Sequence, residues 1–371
     1  MTSNSKISSL QFGILVFLYT IGSTILLAPS GLAGLAKQDA WIASIVGVGI
    51  GGICVVLYSK LGNLFPNITF VEYCEKILGK WVGKIISITF VFFFFIGATT
   101  VLFHMGNFLV TQIMPDTPIH IINALFAVII VYGIRLGIEV FARAAEIFFP
   151  WVVLLFCILL FTLLPEIEIK NIQPVFEEGI KPICVGALSL VSVASLPCIV
   201  FTMIIPCVSE INKVRTTFII SLYIGGFVII TTTFLCIAVL GADFTARSTF
   251  PSYVLAKKIS IGNFVERIEI LIAILWFITI FYKILLYFYA CIIGTAQILG
   301  LKDFRPITLP FGMILVIYSY IVYPNTVYAA EWDTTVWIPY ALTYGFFLPL
   351  LLFVVAKIRF KSNDPTNNKS M

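Results

Sequence analysis

Lys283 stands near the middle of an apolar stretch, residues 271–298, that contains no other charge and is long enough to cross a bilayer. A lysine at that depth costs about 2.5–3.5 kcal/mol on insertion scales, and this one is too far from either end to snorkel to the interface. Its ammonium therefore requires a cavity, a ligand or an internal partner. Tyr287 follows at i+4 on the same helical face, so one wall would present an ammonium and a phenol together. Two other apolar stretches are interrupted: the first holds Gly22-Ser23-Thr24 and then Pro29-Ser30-Gly31, and a later one holds Ser192, Ser195 and Pro197. Backbone groups freed at such breaks cannot stay bare in hydrocarbon; they bind a ligand, or serine and threonine hydroxyls satisfy the turn locally. Unless these groups only satisfy one another, the chemistry they offer is recognition of a small molecule. There is no Walker A loop, nucleophile elbow or zinc spacing, so enzyme activity, a metal and a cofactor are not expected.

The elements that must position these residues follow from composition. Of 371 residues, 60% are apolar and only 11% charged, with mean hydropathy +1.07; soluble domains are about 25% charged. The chain reads as an all-α polytopic membrane protein forming one domain over 1–371. The formal charge of +5 is spread over loops, so nucleic acid is not an expected partner. Apolar runs predict about ten spans at 10–35, 41–58, 84–113, 119–135, 146–164, 183–206, 217–240, 268–297, 307–323 and 336–356. The first ten residues carry one lysine and no clear cleavage site follows, so the first run is a retained span. With ten spans both termini share a side, and most basic residues (Lys60, Lys76, Lys80, Lys84, Arg135, Arg143, Lys213, Arg215, Lys302, Arg305 and Lys357) fall on it, which makes that side cytoplasmic. Residues 10–206 then hold five spans and the broken sixth, 207–356 the remainder, and 357–371 a cytoplasmic tail. Because the two broken spans are five apart, the pattern predicts a five-plus-five inverted repeat whose broken helices, one and six, meet at the bilayer midplane. The eight cysteines are scattered, without a C-x-x-C pair, and are expected to pack the core.

Several segments resemble the B subunit of bacterial spore germination receptors, a branch of the amino acid–polyamine–organocation transporter superfamily. They are GSTILLAPSG at 22–31 followed by Asp39-Ala40-Trp41; Phe70-Val71-Glu72-Tyr73 through Leu78-Gly79-Lys80; PVFEEG at 174–179; and Phe264-Val265-Glu266-Arg267-Ile268-Glu269 with Trp276 beyond it. The resemblance implies the ten-helix, LeuT-like fold of sodium-coupled amino-acid transporters and location in the spore inner membrane. It also implies assembly with a membrane A subunit and a C-subunit lipoprotein, and sensing of a small nutrient germinant. Two departures stand out: Thr24 occupies a place where superfamily transporters usually have glycine, and 187–205 lacks the glycine and glutamate common in span six of germination-receptor B subunits.

In that frame, an amino acid's carboxylate would meet backbone N–H groups around Gly22, Ser23 and Thr24, at the positive end of a helix dipole. Gly97 would give span three a notch for the ligand, or serve as a helix-packing glycine. Ser192 and Ser195 would bond the ligand or satisfy the broken backbone. Lys283 would fill the place of a coupling cation, pair with an anionic ligand group, or bond internal carbonyls structurally. His104 would be a proton-linked switch or a packing residue, His120 solvated, and Glu269 and Arg267 interfacial anchors or a salt bridge. Arg135, Glu139, Arg143 and Glu146 form a cytoplasmic charged cluster that could touch the A subunit. The alternative function is an amino-acid transporter working by alternating access, since one fold serves both. A reporter fused within 166–181 should behave as extracytoplasmic, and cytoplasmic activity there would overturn the ten-span topology.

Overall fold

In the computed structural model, residues 6–258 and 269–361 are described, and they are helical almost throughout. Span one is two half-helices, α1 (Ser9–Ile21) and α2 (Thr24–Ala36). The 3-10 turn Lys37–Asp39 leads to α3 (Ala40–Leu64), a short helix α4 (Phe70–Leu78), then α5 (Lys80–Gln112), α6 (Ile119–Leu136) and α7 (Ile138–Leu163). Span six is α8 (Ile180–Ala194) followed, after Ser195, by a 3-10 segment Leu196–Met203. Next come α9 (Ile211–Leu240), two outer helices α10 (Ala242–Arg247) and α11 (Pro251–Lys257), and α12 (Glu269–Ile298). The chain ends with α13 (Arg305–Ile321), α14 (Thr326–Thr335), and a last span made of α15 (Trp337–Leu342), a π turn Thr343–Phe347 and α16 (Leu348–Lys361).

By length and apolarity alone, eight helical stretches of the described residues could cross a membrane, or nine if the bent pair α13 and α14 counts once. That count runs Thr24–Leu64 together as 41 residues and leaves out Ser9–Ile21. Lys37, with φ of 48°, sits in the left-handed region between α2 and α3, where a continuous right-handed helix cannot pass. Joining α1 to α2, separating α3 and counting α13 gives ten spans. The bend between α13 and α14 is 101°, and α14 carries Glu331 and Asp333, so it belongs to the outer loop. Boundaries differ mostly at charged ends: α7 begins eight residues before the expected 146, taking Glu139 and Arg143 into its first turns, and α16 runs into the expected tail. Residues 362–371 and Arg267 lie outside the described residues.

The center of the molecule is α12. Every residue from 282 to 294 is buried, as expected of a helix surrounded by others, while flanking helices turn Ile53, Val128, Ile147, Phe161 and Ile317 outward. α5 runs along one side of it and α1 along another, and both broken spans lie within reach of its middle. Six cysteines are buried as expected, but Cys157 is half-buried and Cys184 exposed; all eight are free. Phe93 and Phe94 are core, whereas Phe92 faces outward.

Two segments distant in sequence meet at the outer surface. Phe176 N–H donates to the Asp39 carboxylate at 2.9 Å, and Gln38 Nε2 donates to the Pro174 carbonyl at 2.9 Å and to Glu177 at 2.8 Å. Lys37 pairs with Glu178, whose carboxylate raises the lysine's pKa above its ordinary value. The PVFEEG loop thus fastens the turn that ends span one. On the opposite side, Thr69 and Glu72 form a capping box that starts α4, and Gly83 is required because a Cβ there would lie 2.5 Å from Glu75 Cα. The N-terminal segment pairs with the end of span six, Ile7 N–H to Cys207 O at 2.9 Å and Ser209 N–H to Ile7 O at 3.0 Å.

Asp39→Ala leaves the Phe176 N–H without its acceptor and should cost about 1–3 kcal/mol. Thermal unfolding of the purified protein should fall accordingly and protease should cut sooner within 173–179, with Asp39→Asn milder; an unchanged unfolding temperature would show that the clamp contributes nothing.

Candidate ligand-binding site

Both breaks fall where the sequence places them. α1 ends at Ile21, Gly22 departs from helical geometry at φ 15° and ψ −117°, and α2 restarts at Thr24. The reason for glycine is steric: a Cβ at Gly22 would lie 2.5 Å from Lys283 Cδ and 2.9 Å from the Tyr19 carbonyl. The Lys283 stem crosses the chain at that point. Since α2 begins at Thr24, its first N–H groups have no acceptors one turn back and point toward the gap. Pro29, Ser30 and Gly31 leave α2 unbroken.

In span six, Pro197 causes the break. In an α-helix the Val193 carbonyl would accept from the N–H of residue 197, and proline has none. Lys283, 1% exposed, donates to that carbonyl at 3.1 Å and lies 3.5 Å from Thr24 Oγ1, with its ammonium 5.4 Å from the center of the Tyr19 ring. A cation at the C-terminal end of α8 also meets the negative end of its dipole. The neighbouring freed carbonyls are satisfied in turn. Ser192 O accepts from Trp337 Nε1 at 3.0 Å, Ala194 O from Cys198 Sγ, Ser195 O from Cys198 N–H, Leu196 O from Tyr58 Oη at 2.9 Å, and Pro197 O from Tyr19 Oη at 3.1 Å. Distant side chains replace the helical ladder, as hydrocarbon requires.

Outward of Lys283 lies a cavity of about 120 Å³, lined by Ser23 and Leu27 of span one, Thr100 of span three, Ser189 and Val193 of span six, and Tyr287 and Trp337. It has room for a few waters or one small ligand. His104 Nε2 and Asp333 Oδ2, 3.1 Å apart, line both this cavity and a second one of about 440 Å³ nearer the outer surface, so the pair stands between them. Tyr323 Oη donates to the other Asp333 oxygen at 3.3 Å. His104 is thus a bonded residue at the cavity's rim, and His120 is exposed.

Of the residues expected from sequence, Ser23, Lys283 and Tyr287 line the cavity. Gly22 and Thr24 lie behind them against the lysine. Gly97 does not line it: the Tyr287 ring fills the notch, with three ring atoms 2.5–2.9 Å from where a Cβ would be. Neither do Ser192 and Ser195. Ser192 Oγ donates to Ser189 O within α8 at 2.7 Å, and Ser195 Oγ packs against Gly51, where a Cβ would come within 2.1 Å of it. Sequence reasoning missed Trp337, Tyr19, Tyr58 and Asp333; the one available signal was Pro197 four residues after Val193.

A broken pair of helices around a central charged span defines a transporter-type fold, and solved structures agree. The chain aligns with MhsT in complex with L-phenylalanine at TM-score 0.71, covering 95% of this chain and 98% of that one at 13% identity. It also aligns with Mhp1, a nucleobase-cation-symport-1 family transporter in a closed conformation with bromovinylhydantoin bound, at TM-score 0.58, covering 96% and 76% at 14% identity. At these identities the likeness is one of fold: ten helices in two inverted five-helix repeats. A family model described as "Spore germination protein" matches residues 6–327, and the chain belongs to that family. It is 30% identical to Spore germination protein KB of Bacillus subtilis (strain 168) over 98% of both chains. It is 29% identical to Spore germination protein YndE of the same organism, over 96% of this chain and 97% of the relative. With Spore germination protein GerLB of Bacillus cereus it shares 25% identity over 77% of each.

Gly97→Ala adds one methyl where the Tyr287 ring now lies and must push the phenol toward the cavity, at an overpacking cost of about 1–3 kcal/mol. Membrane abundance should stay near normal while ligand-induced thermal stabilization drops; full retention of that stabilization would show that Tyr287 has room to move without touching the ligand.

Proposed function

We propose that this protein is the nutrient-sensing membrane subunit of a spore germination receptor, located in the spore inner membrane. It binds an amino acid or similarly small molecule in the cavity beside Lys283. The observation that carries the reading is the buried ammonium shared between the two breaks, with a cavity directly outward of it. An ammonium has three donors. One is used by the Val193 carbonyl and one points at the distant Thr24 hydroxyl, which leaves a third for a ligand carboxylate, alongside the free N–H groups that open α2. MhsT, of the same fold, holds an amino acid, L-phenylalanine. A fixed lysine between spans one, six and eight supplies the positive charge that a bound cation would otherwise supply.

Signalling then requires that the ligand favor one arrangement of the broken helices over another. Lys283 is the contact that both helices share, so ligand pairing with its ammonium competes with or reinforces its hold on Val193. The changed arrangement passes to an A subunit and a lipoprotein C subunit. The same fold permits alternating-access transport, and uptake of labelled amino acids by proteoliposomes would favor that second reading.

Lys283→Met keeps the stem and removes the charge. Spores carrying it should respond to nutrient at least tenfold less sensitively, a loss equivalent to about 1.4 kcal/mol or more, at normal membrane abundance, since losing an intramembrane charge does not hinder insertion. Lys283→Arg should also fail, because a planar guanidinium does not fit over Gly22. Ligand stabilization of the parent should be equal in sodium and choline buffers. Parent-like responses from both variants would place the working site elsewhere.

A further inference from the structure

We propose that the groove between α6 and α13 is a binding site for an anionic phospholipid, with an acyl chain in the groove and the phosphate on Arg135. The two helices run antiparallel: Asn123 Nδ2 donates to Ser319 Oγ at 3.0 Å near one end, and toward the other a Cβ on Gly312 would come within 2.4 Å of Val131 Cγ2. Small residues at the crossing, Ala127 and Gly312, leave a trough of about 620 Å³, roughly five times the cavity beside Lys283. Its walls are Val128, Met313 and Ile317, which are 66%, 58% and 62% exposed, so the trough opens sideways on the apolar flank where bilayer hydrocarbon must lie.

The single charged residue lining the trough is Arg135, at the end that the basic loops assign to the cytoplasm. Arg305 lies one turn before Leu309, another lining residue, and so adds a second guanidinium at the same end. Among the described residues neither guanidinium has a hydrogen bond or ion pair. Two acidic residues of the same region bond backbone N–H groups rather than these guanidinium groups: Glu139 accepts from Lys6 N–H at 2.8 Å, and Asp303 from Arg305 N–H at 3.1 Å. An apolar trough capped on its cytoplasmic side by free guanidinium groups matches a phospholipid of net negative charge, because the fork of an arginine binds phosphate through two hydrogen bonds and the cytoplasmic leaflet supplies anionic lipid. A partner helix would bury the same walls but leave Arg135 without its anion.

The test uses the full chain, stripped of lipid in detergent, with phosphatidylglycerol or phosphatidylcholine added back during thermal unfolding. Phosphatidylglycerol should stabilize at about tenfold lower concentration than phosphatidylcholine, as expected for one or two cations near a headgroup. Arg135→Gln, an exposed substitution that leaves the packing intact, should abolish the preference while phosphatidylcholine still acts. Ala124→Phe, filling the trough, should weaken both. Equal action of the two lipids on the parent, or a preference that survives Arg135→Gln, would overturn the proposal. So would efficient cross-linking of Met313→Cys in native membranes to another membrane protein or a second copy, which would make the trough a protein interface.

Discussion

The hydrogen bond from Lys283 to the Val193 carbonyl governs the middle of this molecule. Pro197 removes the N–H that would have closed the helical turn, and a bare carbonyl in a dry interior costs about 1–3 kcal/mol. A buried lysine without a partner is also unfavourable. Each deficit answers the other. The 3.1 Å bond satisfies the carbonyl, and the carbonyl end of α8 stabilizes the ammonium without a carboxylate beside it. Much else follows: Gly22 is needed so that the lysine stem can pass, and α12 must be buried on all sides to carry the lysine to the crossing.

The arrangement also explains how such a site could signal. Lys283 reaches span one through Thr24 and span six through Val193, and its own helix packs along α5 and α1. On the proposed reading, a ligand anion in the cavity would act on the one group that all three spans share. The outer side is held by His104 and Asp333, and the inner side by pairing of Ile7 with Cys207 and Ser209. The ends of spans one and six are themselves joined at the outer side by Gln38 and Asp39 to residues 174–177, which lead into span six, and at the inner side by Ile7 to Cys207 and Ser209.

How much of this could be read beforehand depended on whether a feature announces itself locally. A lone lysine in an apolar run does, and so do glycine, serine and proline inside spans; hence Lys283, the breaks at Gly22 to Thr24 and at Ser195, and the inverted repeat were legible. Gly97 was not decidable, because the absence of a Cβ that would admit a ligand equally admits the Tyr287 ring. The donors that satisfy span six, namely Tyr19, Tyr58 and Trp337, come from three different spans and form no pattern in sequence. The acceptor itself, a backbone carbonyl, has no residue type to mark it. The span count by length blurred for similar reasons: Lys37 ends a helix through its backbone angle, and α13 is short because the polar residues of α14 turn away from it.

The central claim is most directly tested by a double-mutant cycle between positions 197 and 283, read as unfolding free energy of the purified protein. Pro197→Ala restores an N–H that can reach the Val193 carbonyl, so Lys283→Met should then cost less than it does in the parent, with an interaction energy of about 0.5–3 kcal/mol. Strict additivity of the two substitutions would contradict the account, because it would mean that the lysine and the carbonyl freed by proline do not depend on each other.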